Sequence, residues 1–542
     1  MAEVDAAHRP CEFLETESQG LPDDRVFRFV LGDDDGPVPL DAETIDASLG
    51  DRFAELVLRQ ASLPRTAEAV LAAITAAAPA GDPLLLQRFF LVGEDGQLLR
   101  KEGETAVPRS LRFLVTCGHG PDGPDIIMSA FNSAAGTVEL MAWDHRTGGF
   151  NYYRTVDRST AWAFAGNSRH ALTAPTRDNG PFESHKAGHL LMKELRSPWV
   201  HWHSPKARVV PAILDDAGLR DHPWIDQLDA GGAYTFEDDV VKPAIGRWTR
   251  SRMDALVEGR AQETPRRILE QLLDTPTVNL ITSSIESSAA HSGAAKQLLL
   301  PETFFVDAVG LEMVSVVRQP GEPPLPDDAP KLAALEPPAV DSAFYRDALD
   351  RFGFRLQERG GFRRAGDTHF AFAVPERAFE DVDTLRQAIE RGILTRRLVA
   401  AFLMVDFPNP VYSSRRRGLL DHVPDEPFAD DSEGFAERVV DEIRRAPAAS
   451  EDGSAEQEFL ARWDVGEPFF EAYDALLVPY YAAISERLAS QEGFDPFVLL
   501  AESRRQRTRS MPIAGEFDLL FATTDIPSAE RQMTVGARVE EV

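Results

Sequence analysis

A proline-rich stretch near the middle of the chain, Gln319–Pro330, most constrains how the chain can fold. Five of its twelve residues are proline, which lacks the N–H that helices and inner strands require. Such a composition is typical of a linker. With 542 residues, the chain is also too long for one ordinary core. The sequence therefore predicts separate domains on the two sides of this stretch.

The two sides differ in the period of their apolar residues. Before the linker, Thr137–Asp144 and Gly149–Thr155 flank a turn-forming His145–Gly148, which predicts a β-hairpin. After it, helical periodicity dominates, with predicted helices at Asp381–Phe407, Gly434–Arg445, Glu456–Trp463 and Glu471–Gln491. We therefore predict an α+β fold, with a mixed front half containing antiparallel β-hairpins and a mainly helical C-terminal half.

Changes in composition set the predicted domain boundaries. We predict a small α+β domain at 1–120, an aromatic- and His-rich central domain at 121–318, the Pro-rich linker at 319–330, a mainly helical domain at 331–524 and a polar tail at 525–542.

Histidines are concentrated in the predicted central domain. Seven of the chain's twelve lie between His119 and His203, and four lie within nineteen positions, His185, His189, His201 and His203. A helix over Glu183–Arg196 would place the first two on one face, because residues four apart lie one above the other. A short strand over Trp199–His203 would place the last two on one side. The spacing predicts that the four imidazoles converge.

Three or four imidazole ligands suit iron, copper or zinc. A non-covalent haem is the other candidate occupant, with His185 or His189 as one axial ligand and Met192 or a second histidine as the other. Trp199 and Trp202 would form the wall of the cofactor site. The sequence therefore predicts a metal- or haem-dependent enzyme, an oxidoreductase, that acts on a small-molecule substrate.

The alternative is a non-catalytic protein that binds a ligand or partner, with a purely structural His/Trp cluster. Gly188 favours this alternative, because glycine weakens a helix by about 1 kcal/mol relative to alanine. Without that helix, the argument that joins His185 to His189 fails.

The charge and the cysteine content limit which partners the protein can bind and in which compartment it is expected. Asp and Glu outnumber Lys and Arg by 88 to 57, and the net charge of −31 opposes binding to nucleic acid or an anionic membrane. Two cysteines cannot form a disulfide framework. The first residues lack the pattern of a secretory signal, and no apolar stretch is long enough to span a bilayer. We expect a cytoplasmic protein.

Two weaker patterns have structural interpretations. Cys117 and His119 are a catalytic pair by residue type, but their spacing favours a buried cysteine at the end of a strand. Two basic runs, Arg415–Arg417 and Arg504–Arg509, stand out in an acidic chain. We expect them to form ion pairs with the protein's own carboxylates.

Overall fold

The computed structural model divides the chain into two compact units, Met1–Asp254 and Ala255–Val542. The five-part division given above stays a prediction. The structure describes residues 21–93, 111–131, 137–156, 161–183, 185–190, 209, 211–230, 232–261, 263–274, 278–280, 296–300, 304–307, 338–357, 363–365, 375–377, 379–411, 413–466, 469–510 and 523–542.

An eight-stranded sheet organises the first unit. Its strands are β1 (Val26–Arg28), β2 (Val38–Leu40), β3 (Gln87–Gly93), β4 (Leu111–Gly120), β5 (Gly123–Phe131), β6 (Val138–Asp144), β7 (Gly149–Thr155) and β8 (Trp162–Asn167). They lie in the order β2-β1-β8-β7-β6-β5-β4-β3. Strands β3 to β8 form an antiparallel meander, and β1 adds to β8 in parallel. The predicted hairpin is confirmed as β6–β7, in which Asp144 pairs with Gly149.

The helices of the first unit surround this sheet. They are α1 (Ala42–Ser48), α2 (Ala67–Ala77), α3 (Pro211–Ala217), α4 (Gly232–Phe236) and α5 (Lys242–Val257), the last of which continues three residues past the end of the unit at Asp254. Thr66 caps α2 by accepting a hydrogen bond from the N–H of Ala69, as its position before an apolar run predicts. The spacing of apolar residues over Ala42–Ser62 predicts a single helix, and this prediction is wrong. The helix α1 ends at Ser48, and Asp51 accepts a hydrogen bond from the N–H of Ala54 at the start of a separate π-helical segment, Ala54–Leu58.

Both faces of the sheet are buried. On the first face, Val115, Cys117 and Trp162 belong to the core that also contains α1 and α2 residues. On the second face, Phe90 of β3 packs against Phe236, with ring centroids 4.9 Å apart. Burial on both faces accounts for strands that are apolar without alternation.

The second unit consists mainly of helices. They are α6 (Pro265–Leu273), α7 (Ser342–Arg351), α8 (Phe379–Glu390), α9 (Arg396–Leu403), α10 (Ser414–Gly418), α11 (Ser432–Arg445), α12 (Ala455–Trp463), α13 (Phe470–Leu488) and α14 (Gln491–Ser510). The α+β fold class is thus confirmed: the antiparallel hairpins of the large sheet lie in the N-terminal half of the sequence, and the C-terminal half is mainly helical. The single helix predicted over Asp381–Phe407 is wrong, because the structure has two helices there, α8 and α9. Gly392, with a φ of +68°, follows the end of α8, and Thr395 caps α9.

Short antiparallel pairs of strands complete the second unit. They are β9 (Val278–Leu280) with β14 (Pro375–Arg377), β10 (Gln297–Leu299) with β11 (Ala339–Asp341), β12 (Arg355–Gln357) with β13 (Arg363–Ala365), and β15 (Arg531–Met533) with β16 (Val539–Glu541). The last pair lies in the predicted polar tail. The Pro-rich linker, Gln319–Pro330, lies outside the described residues.

No helix within the described ranges is both long and apolar enough to cross a membrane.

Candidate functional site

His185 and His189 lie on a tight turn, which corrects the predicted helix. Lys186–Gly188 is a short 3₁₀ turn, and Ala187 has a φ of 53° within it. Gly188 follows with a φ of +73°. Two left-handed residues in succession end any α-helix. The two histidines therefore do not share a helix face, and the geometric argument from their spacing is wrong.

Side chains from three elements hold this turn on the second face of the sheet. The hydroxyls of Tyr152 and Ser168 donate to the carbonyl oxygen of Gly188, at 2.9 Å and 2.7 Å. The indole N–H of Trp248, on α5, donates to the carbonyl oxygen of Ala187 at 2.9 Å. A Cβ on Gly188 would lie 2.3 Å from the backbone oxygen of Ser168. The turn is thus fixed, and only glycine fits at its closest approach to the sheet.

A hydrogen bond within the turn orients the imidazole of His185. Its Nδ1 lies 3.0 Å from the carbonyl oxygen of His189. Because a carbonyl oxygen only accepts, Nδ1 carries the hydrogen and Nε2 keeps the lone pair. The ring of Tyr152 packs against the imidazole, with centroids 5.0 Å apart. A histidine fixed in this tautomer is suited to bind a metal through Nε2.

Both imidazoles are neutral at pH 7. Burial lowers the pKa of His185 to about 4, against the opposing effect of its hydrogen bond to His189. His189 is fully buried, which holds its pKa well below the ordinary value, and the positive charge of Arg252 lowers it further. Neutral imidazole is the form that binds metal ions, so no proton must leave first.

The remaining predicted site residues, Met192, Trp199, Trp202, His201 and His203, lie outside the described residues. Their convergence on His185 and His189 stays a prediction. Within the part of the chain that the structure describes, no group of three or more His, Cys, Asp or Glu side chains is placed to hold a metal ion.

Cys117 and His119 are not a catalytic pair. The thiol of Cys117 belongs to the core on the first face of the sheet, where burial raises its pKa to about 12. His119 instead contacts the hydroxyl of Thr116, with Nε2 2.8 Å from Oγ1. The prediction of a buried cysteine at the end of a strand is confirmed. At such a pKa the thiol is not a nucleophile at pH 7.

Sequence reasoning missed a pair of buried aspartates in the first unit. The side-chain amide of Asn151 donates to Asp51 at 2.7 Å and to Asp144 at 3.0 Å. The hydroxyl of Tyr153 donates to the same oxygen of Asp51 at 2.5 Å. Asp144 also accepts from the N–H of Gly50 at 2.8 Å. The network joins the start of the π-helical segment to the turn between β6 and β7.

This network is structural, although its pKa values are unusual. Burial raises the pKa of Asp51 to about 6, and the neighbouring charge of Asp144 adds to the effect, while bonds from Tyr153 and Asn151 oppose it. Both carboxyls are buried and are surrounded by hydrogen-bond donors. The position of Asp144 just before a turn indicates that its side chain bonds to the turn's backbone. No local sequence pattern predicts that Asn151 joins it to Asp51.

The ion pairs predicted for the two basic runs are found for Arg415, Arg417 and Arg505. Arg415 pairs with Glu458 at 3.0 Å and Arg417 with Asp274 at 2.8 Å. Arg505 forms a buried pair with Glu502 at 2.8 Å. Arg416 and Arg504 also donate to backbone carbonyls. Burial lowers the pKa of each to about 10.

Comparisons with family models, curated proteins and solved structures find no match to this chain.

Proposed function

We propose that the protein is a metal- or haem-dependent oxidoreductase whose cofactor binds at the His-rich segment, with Nε2 of His185 as one ligand. The observation that carries the proposal is the hydrogen bond from Nδ1 of His185 to the carbonyl oxygen of His189. Histidines that bind metals usually donate their other nitrogen to a carbonyl or carboxylate in this way.

The rigidity of the turn supports this role. A ligand must point in one direction, and the bonds from Tyr152, Ser168 and Trp248 fix the backbone on which His185 stands. In the proposed metal site, His189, His201 and His203 would complete the ligand set. In the proposed haem site, Met192 or one of these histidines would be the second ligand together with His185. Trp199 and Trp202 would exclude water.

The iron or copper would supply electron transfer, which protein side chains do not perform readily. The chain's own contribution is to keep His185 neutral and oriented. We propose a small-molecule substrate, a cytoplasmic location and no nucleic-acid partner, since a net charge of −31 repels phosphates.

A second candidate function is non-catalytic binding of a ligand or partner, with histidines that only stabilise the fold. The burial of His189 favours it, because a fully buried neutral imidazole also occurs in ordinary cores. The same hydrogen bonds to Ala187 and Gly188 would then serve the packing of the sheet.

Cofactor content separates the two candidates. The full chain is produced with added iron, copper, zinc and a haem precursor, and the purified protein is assayed by elemental analysis and absorption spectroscopy. His185→Gly removes the proposed ligand, and free imidazole added to this variant can occupy the same space. His145→Gly is the matched control, because His145 is an exposed histidine of the β6–β7 turn.

The oxidoreductase proposal expects stoichiometric metal or a Soret band in the wild type and in His145→Gly. It expects loss of most of that signal in His185→Gly and its return with imidazole. Wild-type protein that stays free of metal and haem would contradict the proposal. A signal that His185→Gly leaves intact would exclude His185 as a ligand.

A further inference from the structure

A cavity of about 260 Å³ lies in the second unit, between the helices α13 and α14 and the β15–β16 hairpin. Arg487 reaches it from the last turn of α13, and Pro496 and Phe497 from α14. Arg538, Val539 and Glu540 line it from the hairpin. The cavity is slightly smaller than most ligand sites, which measure about 300–1,000 Å³. It therefore suits a ligand of few atoms.

Arg487 has unused hydrogen-bonding capacity at this cavity. Its Nε is buried and has no hydrogen-bond partner among the described residues. Its Nη2 makes only a long contact, 3.5 Å, to the carbonyl oxygen of Gly536. Arg487 is half-buried and lines the cavity, so the part of its guanidinium that reaches the cavity can donate to an oxyanion bound there.

Arg538 supplies a second positive charge. Its side chain is exposed, and it forms no ion pair with any residue that the structure describes. Two guanidiniums against the single carboxylate of Glu540 leave the cavity positive, in a chain whose net charge is −31. Guanidinium groups match the paired oxygens of carboxylates and phosphates.

The rest of the lining is apolar. Pro496 and Val539, both half-buried, give the cavity an apolar wall beside the two arginines, and the fully buried Phe497 lies behind it. Such a wall favours a ligand with a short apolar body over a bare inorganic ion.

We propose that this cavity binds a small organic oxyanion, with a carboxylate or phosphoryl group on Arg487 and Arg538 and a short apolar body against Pro496 and Val539. The proposal is independent of the His-rich segment, which lies in the other unit. The two proposals are therefore tested by different measurements, and failure of one leaves the other untouched.

Calorimetric titration of the full chain tests the proposal. The probes are benzoate, phenyl phosphate and inorganic phosphate, so that the first two compare the oxyanions and the third lacks the apolar body. Arg487→Met and Arg538→Met each remove one guanidinium. Arg445→Met is the matched control, because it makes the same charge change on α11, away from the cavity lining. Melting temperatures and circular dichroism establish that each variant is folded.

Saturable binding of benzoate or phenyl phosphate is expected, at least tenfold tighter than that of inorganic phosphate. Arg487→Met and Arg538→Met should each weaken it tenfold or more, and Arg445→Met should leave it unchanged. Glu540→Gln should tighten it about two- to fivefold by removing a repulsive charge. The proposal fails if neither organic probe binds, if inorganic phosphate binds equally well, or if Arg445→Met weakens binding as much as the other two.

Discussion

The side-chain amide of Asn409 pairs with both backbone groups of Met533. Its oxygen accepts from the N–H of Met533 at 2.8 Å, and its nitrogen donates to the carbonyl oxygen at 2.9 Å. Both residues are buried. One side chain thus provides the two bonds that a neighbouring strand would give β15. Ser503 adds a third bond, accepting from the N–H of Arg531 at 2.9 Å.

We expect Asn409→Ala to release the C-terminal hairpin. The substitution leaves two buried backbone groups of Met533 without partners, at about 1–3 kcal/mol each. It also removes the bond from Asn409 to Asp406, which measures 2.7 Å. The expected result is faster hydrogen exchange at 531–541 and proteolytic cleavage near residue 530. Asn179→Ala, which removes an exposed amide bonded to Pro175, is the control, and equal protection of the hairpin in both variants would contradict the prediction.

The raised pKa of Asp51 predicts a pH dependence in the first unit. The carboxyl titrates near pH 6 when folded and near pH 3.8 when unfolded. Between these values the unfolded chain binds fewer protons, so this group lowers the free energy of unfolding as the pH rises from about 4 to 6. Two pKa units correspond to at most about 3 kcal/mol.

Asp51→Asn should remove this decline. Denaturant titrations followed by tryptophan fluorescence report mainly on the first unit, since six of the seven tryptophans lie there. Between pH 4.5 and 7, the wild type should lose more stability than Asp51→Asn does. Parallel pH profiles for the two proteins would show that Asp51 is ionised in the folded state across that range.

Sequence patterns predicted the elements that local interactions decide. The turn His145–Gly148 joins β6 to β7, and several arginines of the two basic runs pair with carboxylates of the protein. In each case the necessary information lies within one segment or in bulk charge. The fold class followed from the same patterns, because the apolar period changes along the chain.

Long-range pairings and the geometry of the histidine segment were not predictable in this way. The parallel addition of β1 to β8, the amide pairing of Asn409 with Met533 and the link between Asp51 and Asp144 join segments distant in sequence. The spacing of His185 and His189 matched a helix, but contacts from the sheet to Gly188 impose a left-handed turn. Tertiary hydrogen bonds there outweigh local helix propensity.

A buried ion pair in the second unit should be sensitive to loss of its carboxylate. Arg377 donates to Asp307 at 2.7 Å, and both side chains are almost wholly buried. Asp307→Asn leaves the guanidinium charge buried without that counter-charge, which should lower the free energy of unfolding by about 3–5 kcal/mol. Asp441→Asn, in an exposed pair with Arg444, should cost less than about 1 kcal/mol. Thermal unfolding compares them, and equal melting temperatures would contradict the prediction.

Gly188→Ala tests whether the sheet fixes the histidine turn. Alanine at a φ of +73° costs about 1–2 kcal/mol. Its Cβ would also lie 2.3 Å from the backbone oxygen of Ser168, so the turn must move away from the sheet. Gly218→Ala is the matched control: Gly218 has a φ of +67° but nothing within 4 Å of its added Cβ.

Gly218→Ala should therefore lower the free energy of unfolding only by the cost of the positive φ. Gly188→Ala should lower it by about 2 kcal/mol more, because the hydrogen bonds from Tyr152 and Ser168 are also strained. Tryptophan fluorescence during denaturant titration measures both variants. Equal losses would mean that the turn moves freely, and His185 would then lack the fixed orientation on which its proposed role as a ligand depends.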